Sequence, residues 1–160
     1  MIARRIPAIR DNAAIPNARL FALVARFSTF PEVVAVYLFG STARGTQGKR
    51  SDVDIAILTR AGETPRRRSR PLVEYVQAAC DALGTDRVDV VLLGRASIVL
   101  RHEVFREGTL LLVRDPEVLS RFREESSREY LDTIPLRRIF EEAYFRRIRR
   151  NGFARQAANR

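Results

Sequence analysis

An α+β fold, with helices packed on a small mixed β-sheet, is predicted by three observations on this sequence. Short apolar runs rich in β-branched residues, at Val33 to Phe39, Ile55 to Leu58, Arg87 to Leu93 and Thr109 to Val113, have the length and composition of strands. Longer stretches carry apolar residues at helical spacing. The two kinds of element are segregated rather than strictly alternating through glycine-rich crossovers, which argues against a doubly wound parallel sheet. A chain of 160 residues with 46% hydrophobic content is long enough to bury a core as one domain, and it contains no internal repeat or low-complexity segment.

The first helix is expected over residues 17 to 28, with Leu20, Val24 and Phe27 on one face, Pro16 and Asn17 as start signals and Pro31 beyond its end. The strand from Val33 follows, and the apolar run at Ile55 is the next. A charged loop with Gly62 and Pro65 leads to a helix over 71 to 83, whose apolar stripe reads Leu72, Val73, Val76, Ala79, Cys80 and Leu83. Residues 87 to 93 form the third strand. A helix from Ser97 to 107, stopped before Gly108, leads into the last strand at Thr109 to Val113. From Pro116 the chain reads as helical with a break near Pro135. This divides the single domain into a core of about 17 to 113 and a helical extension of about 116 to 150. The extension carries a stripe at Leu136, Ile139, Phe140, Ala143, Tyr144 and Ile148, which requires a covering surface: its own domain first, another protein second.

The formal charge of +10 raises nucleic acid as a partner. The residue choice tempers this, because Lys49 is the one lysine among 29 basic residues, a bias that GC-rich coding explains more simply. Arg66, Arg67, Arg68 and Arg70 form one cluster, and residues 137 to 160 hold eight Arg against two Glu. Such runs read first as solvated faces, then as a surface for an acidic protein, and last as an RNA contact. The single Cys80 rules out an internal disulfide and reads as a core thiol. The first apolar cluster, Leu20 to Ala25, is too short for a signal or membrane span, so a cytosolic protein without a membrane partner is expected.

The most informative stretch runs from Val36 to Leu58. Gly40 and Ser41 end the first strand, ten residues separate Ser41 from Asp52, and Asp52 and Asp54 open the second apolar run. Alternation along a strand sends both aspartates to one face. Parallel carboxylates repel unless a cation lies between them, and Mg2+ suits the pair, since it takes one or two carboxylates with phosphate oxygens and water. Gly40 allows close backbone approach to a phosphate. Ser41 offers a hydroxyl, and Thr42 to Arg44 a short helical turn with free amides. Asp89, the one acid within residues 87 to 93, joins the same cluster if its strand lies beside that of Asp54, where it would hold a second ion and help deprotonate an attacking hydroxyl.

Gly40-Ser41, ten residues, Asp52-x-Asp54 and a separate Asp89 resemble the polymerase-beta-type nucleotidyltransferase superfamily. Within it, the short length and the run Gly40 to Gly45 are most similar to the minimal nucleotidyltransferases that act as antitoxins, the MntA-like members of HEPN/MNT toxin-antitoxin modules. The likeness covers roughly residues 33 to 113, includes the segment Leu100 to Leu111, and lacks no motif residue. It implies an antitoxin adenylyltransferase: ATP bound on Gly40, Ser41 and Arg44, Mg2+ held by Asp52, Asp54 and Asp89, and AMP passed to a tyrosine of a cognate HEPN ribonuclease toxin. The alternatives are a binding antitoxin acting by steric contact, or a nucleotidyltransferase acting on RNA or a small molecule. Arg44 reads equally as a triphosphate contact or a solvated side chain, Ser51 as a turn residue before the strand, and His102 as a helix-edge residue outside the site.

Overall fold

The computed structural model describes residues 15–44, 52–60 and 71–157, with side chains in the last helix described as far as Arg146 apart from Arg137 and Glu141. Its elements are α1 (Asn17–Ser28), β1 (Val33–Phe39), α2 (Gly40–Arg44), β2 (Val53–Thr59), α3 (Leu72–Leu83) and β3 (Val88–Leu92), followed by a 3-10 turn over Leu93–Arg95, α4 (Ile98–Glu107), β4 (Thr109–Val113) and α5 (Pro116–Ala157). The Gly62 and Pro65 loop, the Arg66 to Arg70 cluster and Ser51 lie outside the described residues.

The sheet is four-stranded and mixed, in the order β3-β2-β1-β4. β1 pairs antiparallel with both β2 and β4, whereas β2 and β3 run parallel, joined across α3. A parallel pair needs a crossover that a tight hairpin cannot supply, and α3 provides it. β1 is buried along almost its whole length, because it has neighbours on both edges and helices over both faces. On one face Leu20 and Phe27 of α1 and Tyr75 and Leu83 of α3 pack on Leu38, Ile55 and Ile57. On the other, Val104 of α4 and Leu119 of α5 pack on Val34, Tyr37, Ala56 and Leu58.

Local chemistry explains the element ends. Gly84 closes α3 at φ 63°, the left-handed conformation that an ordinary side chain resists, and its amide donates to the Cys80 carbonyl at 2.8 Å. The Ser97 hydroxyl accepts the Leu100 amide and caps α4. Asp115 caps α5 by accepting the Val118 amide at 3.1 Å, with Pro116 at the first helical position, where its missing N–H costs nothing. That amide, followed by the Arg60 guanidinium, holds the Asp115 carboxyl below the usual carboxylate range.

Three expectations are corrected. The buried face of α3 is Tyr75, Ala78, Ala79 and Leu83, while Leu72 and Val73 are exposed and Cys80 is half-buried. Tyr75 rotates the helix, because its ring packs on Phe27 and Phe30 and its hydroxyl donates to Glu32 at 2.9 Å. α5 does not break at Pro135. The acceptor that proline leaves unpaired is the carbonyl four residues back, on Leu131, whose exposed position lets water replace the lost bond. Finally, the Leu136 to Tyr144 stripe does not pack on its own domain; its large apolar residues are exposed.

Candidate active site

β1 and β2 are antiparallel neighbours, so the turn that ends β1 lies beside the start of β2. Phe39 pairs with Asp54, and Gly40, the first residue of α2, comes directly after Phe39. Gly40 adopts φ 70°. A Cβ built there would run into the Asp54 carboxylate, so hydrogen is the one side chain that leaves the carboxylate its place. The glycine makes room for an aspartate.

On the other edge of β2, Asp54 stands opposite Asp89 in the parallel register with β3. Val53 and Ile55 face the α1 and α3 core, so Asp54 points to the opposite face of the sheet. Asp52 sits one residue before β2, at the point where the Val53 amide donates to the Arg87 carbonyl and ties the start of β2 to β3. Strand pairing thus brings together three carboxylates that are 37 residues apart at the extremes.

Burial, then the charge of Asp89, then that of Asp52 push the Asp54 carboxyl above its ordinary value of 3.8, and only Arg44 opposes them. Asp89 and Asp52 are therefore close enough for their charges to destabilise that of Asp54. Among the described residues no three His, Cys, Asp or Glu side chains close around a single point as a ready-made metal cage. An open set of hard carboxylate oxygens suits Mg2+, which draws its remaining ligands from substrate phosphate and water, and it suits a softer, fully caged ion poorly. The residues present fit a magnesium ion on that ground.

Arg44, at the end of α2, bonds through Nη1 to Glu107 Oε2 at 3.0 Å, while Glu107 Oε1 takes Arg106 at 2.5 Å. Its guanidinium is half-exposed and within charge reach of Asp54, so it faces the carboxylate cluster from the rim. Two supporting residues escaped the sequence. Thr42 is fully buried, and its hydroxyl donates to the Asp52 carbonyl at 3.3 Å, holding the backbone of a site aspartate from within α2. Its place one position after Ser41, facing inward, was the available signal. Glu107 lies 63 residues from Arg44, and nothing local announces the pair. His102 stacks on Tyr130, with ring centroids 3.6 Å apart, away from the carboxylates. An apolar groove of about 700 Å3, lined by Leu110, Val113, Leu119 and Arg123, includes none of these residues.

The family model for polymerase beta nucleotidyltransferases matches residues 22–117, which contain every residue of the cluster. The chain belongs to that nucleotidyltransferase family. The protein adenylyltransferase MntA of Shewanella oneidensis is 42% identical over 81 residues, 51% of this nucleotidyltransferase and 55% of MntA, so the match spans about half of the curated relative. Among solved structures, a chain of a toxin-antitoxin crystal structure with AMP-PNP superposes with a TM-score of 0.61 at 28% identity, covering 79% of this chain and 96% of that one. An MntA toxin-antitoxin mutant with two Asp-to-Glu changes superposes with a TM-score of 0.62 at 26% identity, covering 82% of this nucleotidyltransferase and 99% of that chain. No helix among the described residues is long and apolar enough to cross a membrane.

Proposed function

We propose that this nucleotidyltransferase is an antitoxin that transfers AMP from Mg-ATP to a tyrosine hydroxyl of a cognate HEPN-type ribonuclease toxin. The observation that carries the transfer chemistry is the pairing of Asp54 with Asp89 beside Gly40, which joins carboxylates to a glycine turn at one end of the sheet. The toxin as acceptor rests on the 42% identity to a protein adenylyltransferase and on likeness to chains from toxin-antitoxin structures.

Asp52, Asp54 and Asp89 would hold magnesium, which when bound neutralises the charge gathering on the phosphates. Gly40 and Ser41 receive the triphosphate at the α2 turn, directly past the end of β1. Thr42 keeps the Asp52 backbone fixed while the phosphates arrive. Arg44, restrained by Glu107, supplies positive charge at the rim and orients the phosphate chain. The tyrosine oxygen forms its bond to the α-phosphorus as the bond to pyrophosphate breaks in line, and its proton passes to Asp89, the exposed one of the two strand carboxylates.

Incubating the protein with the product of its neighbouring gene and Mg-ATP, then weighing both intact by mass spectrometry, tests this. Whole AMP increments should appear on the neighbour's product and vanish with Asp52→Asn plus Asp54→Asn. Increments that persist in the double variant would refute the site; neutralisation of the toxin without any mass change would refute the reaction.

A further inference from the structure

Arg44 closes the one-turn helix that Gly40 opens, and side chains on a helix lean back toward its N-terminus. Here that direction is toward Asp54, whose carboxylate fills the space beside Gly40. Among the described residues Arg44 is the one cation whose charge lowers the Asp54 carboxyl against burial and the two neighbouring aspartates. Clustered carboxylates draw in whatever cation the fold holds nearby. A guanidinium, always charged and built to grip a carboxylate with paired N–H groups, is the natural competitor for a metal ion at such a cluster.

The structure turns Arg44 elsewhere, onto Glu107 at 3.0 Å. Strand register puts that glutamate in place: Thr109 stands opposite Leu38, so Glu107, the last residue of α4, comes down beside α2, which starts two residues after Leu38. Gly108 allows the close seating. A Cβ there would run into the Val104 carbonyl and stand 3.4 Å from the Leu38 carbonyl oxygen. The other Glu107 oxygen accepts Arg106, so the carboxylate is held from both sides. Arg44 and Glu107 expose 52 and 35% of their side chains, and a surface pair of this kind adds little to stability. What it can do is decide between two anions for one long side chain.

We infer that Glu107 is a positioning residue that draws Arg44 aside from the aspartates and so keeps their cluster open to a divalent cation. The inference rests on the reading of Asp52, Asp54 and Asp89 as magnesium ligands. With Glu107 in place a metal ion meets carboxylates that no guanidinium covers, and Arg44 waits at the rim, where a weak surface pair yields it readily to phosphate. Without Glu107, Arg44 falls back on Asp54, and metal binding must first break that pair.

Mn2+ alone, titrated into the full chain at low ionic strength with the free ion counted by electron paramagnetic resonance, tests this without nucleotide or turnover. Glu107→Ala should weaken Mn2+ binding by about tenfold. In an Arg44→Gln background the same change should alter it by less than about twofold, because no guanidinium is left to hold aside. A fault in folding would not be repaired by Arg44→Gln. A crystal structure of metal-free Glu107→Ala should show the Arg44 guanidinium on Asp54. Wild-type affinity in Glu107→Ala overturns the inference, and so does a loss as large without Arg44 as with it, which would mean that Glu107 acts through its own charge. A wild-type chain that takes up no Mn2+ by about 10 mM overturns it as well. AMP increments on the neighbour's product decide the transfer reading separately, so a chain that transfers AMP yet shows any of these three results loses only the role given to Glu107.

Discussion

Gly40 and Asp54 cannot both carry side chains of ordinary size: the space that a Cβ at Gly40 would take is occupied by the Asp54 carboxylate. Gly40→Ala therefore combines a left-handed backbone strain of about 1 to 2 kcal/mol with displacement of a site aspartate. Stability should fall by about 2 to 4 kcal/mol in denaturant titrations, and nucleotidyl transfer by at least about a hundredfold in the protein that remains folded. Gly84→Ala, also left-handed but with its Cβ in no more than ordinary contact with the Arg19 guanidinium at 3.7 Å, should lose stability alone.

Asp54→Asn should raise the melting temperature of the nucleotide-free protein at neutral pH by on the order of 2 °C while abolishing transfer. The folded-state carboxyl is raised by burial and by Asp89 and Asp52, so folding favours the protonated form more than the unfolded chain does. Its stabilising contribution is complete below the ordinary 3.8 and is lost as pH rises through the folded-state value. The advantage of the variant should accordingly shrink on acidification toward pH 4, as calorimetric scans in chelator across a pH series would reveal. A constant gap at every pH would mean that Asp54 is not the strained group.

Asp89→Ala should separate binding from chemistry. If Asp89 accepts the proton, single-turnover rates should drop by about 100- to 10,000-fold, while calorimetric titration shows Mg-ATP affinity reduced by less than about tenfold. Equal losses in both would assign Asp89 to nucleotide binding or to support of the β2 and β3 edge.

Thr42→Val keeps the shape of a buried side chain and removes the hydroxyl that reaches the Asp52 carbonyl at 3.3 Å. The expected cost is about 1 kcal/mol of stability. A turnover loss of about tenfold, at unchanged KM for the nucleotide, would mark Thr42 as positioning Asp52 rather than contacting substrate.

Strands and most helix ends could be read locally because local chemistry decides them. The β-branched run of β1, the Ser97 cap, the Pro116 start and the Gly108 stop each act within a turn of chain, and the elements form there. Where a partner distant in sequence decides the outcome, local pattern fails. The stripe through Leu72 and Val73 looked as apolar as the true face of α3, but Phe27 and Phe30 select Tyr75 and turn Val73 outward to 68% exposure. Pro135 is a helix breaker by local rule, yet α5 runs through it at a point where Leu131, whose carbonyl loses its partner, is exposed.

The sequence by itself determined the α+β class, the strand runs and the presence of a glycine turn followed by paired aspartates, because periodicity and side-chain type act over a few residues. Tertiary structure alone decided that Asp89 stands opposite Asp54, that Gly40 yields its side-chain space to that carboxylate, that Glu107 restrains Arg44, and that the α5 stripe is left uncovered. The physical reason is common to all four. Each depends on strand register or helix placement, which is set by the sum of many burial terms across the core and is visible in no single stretch of chain.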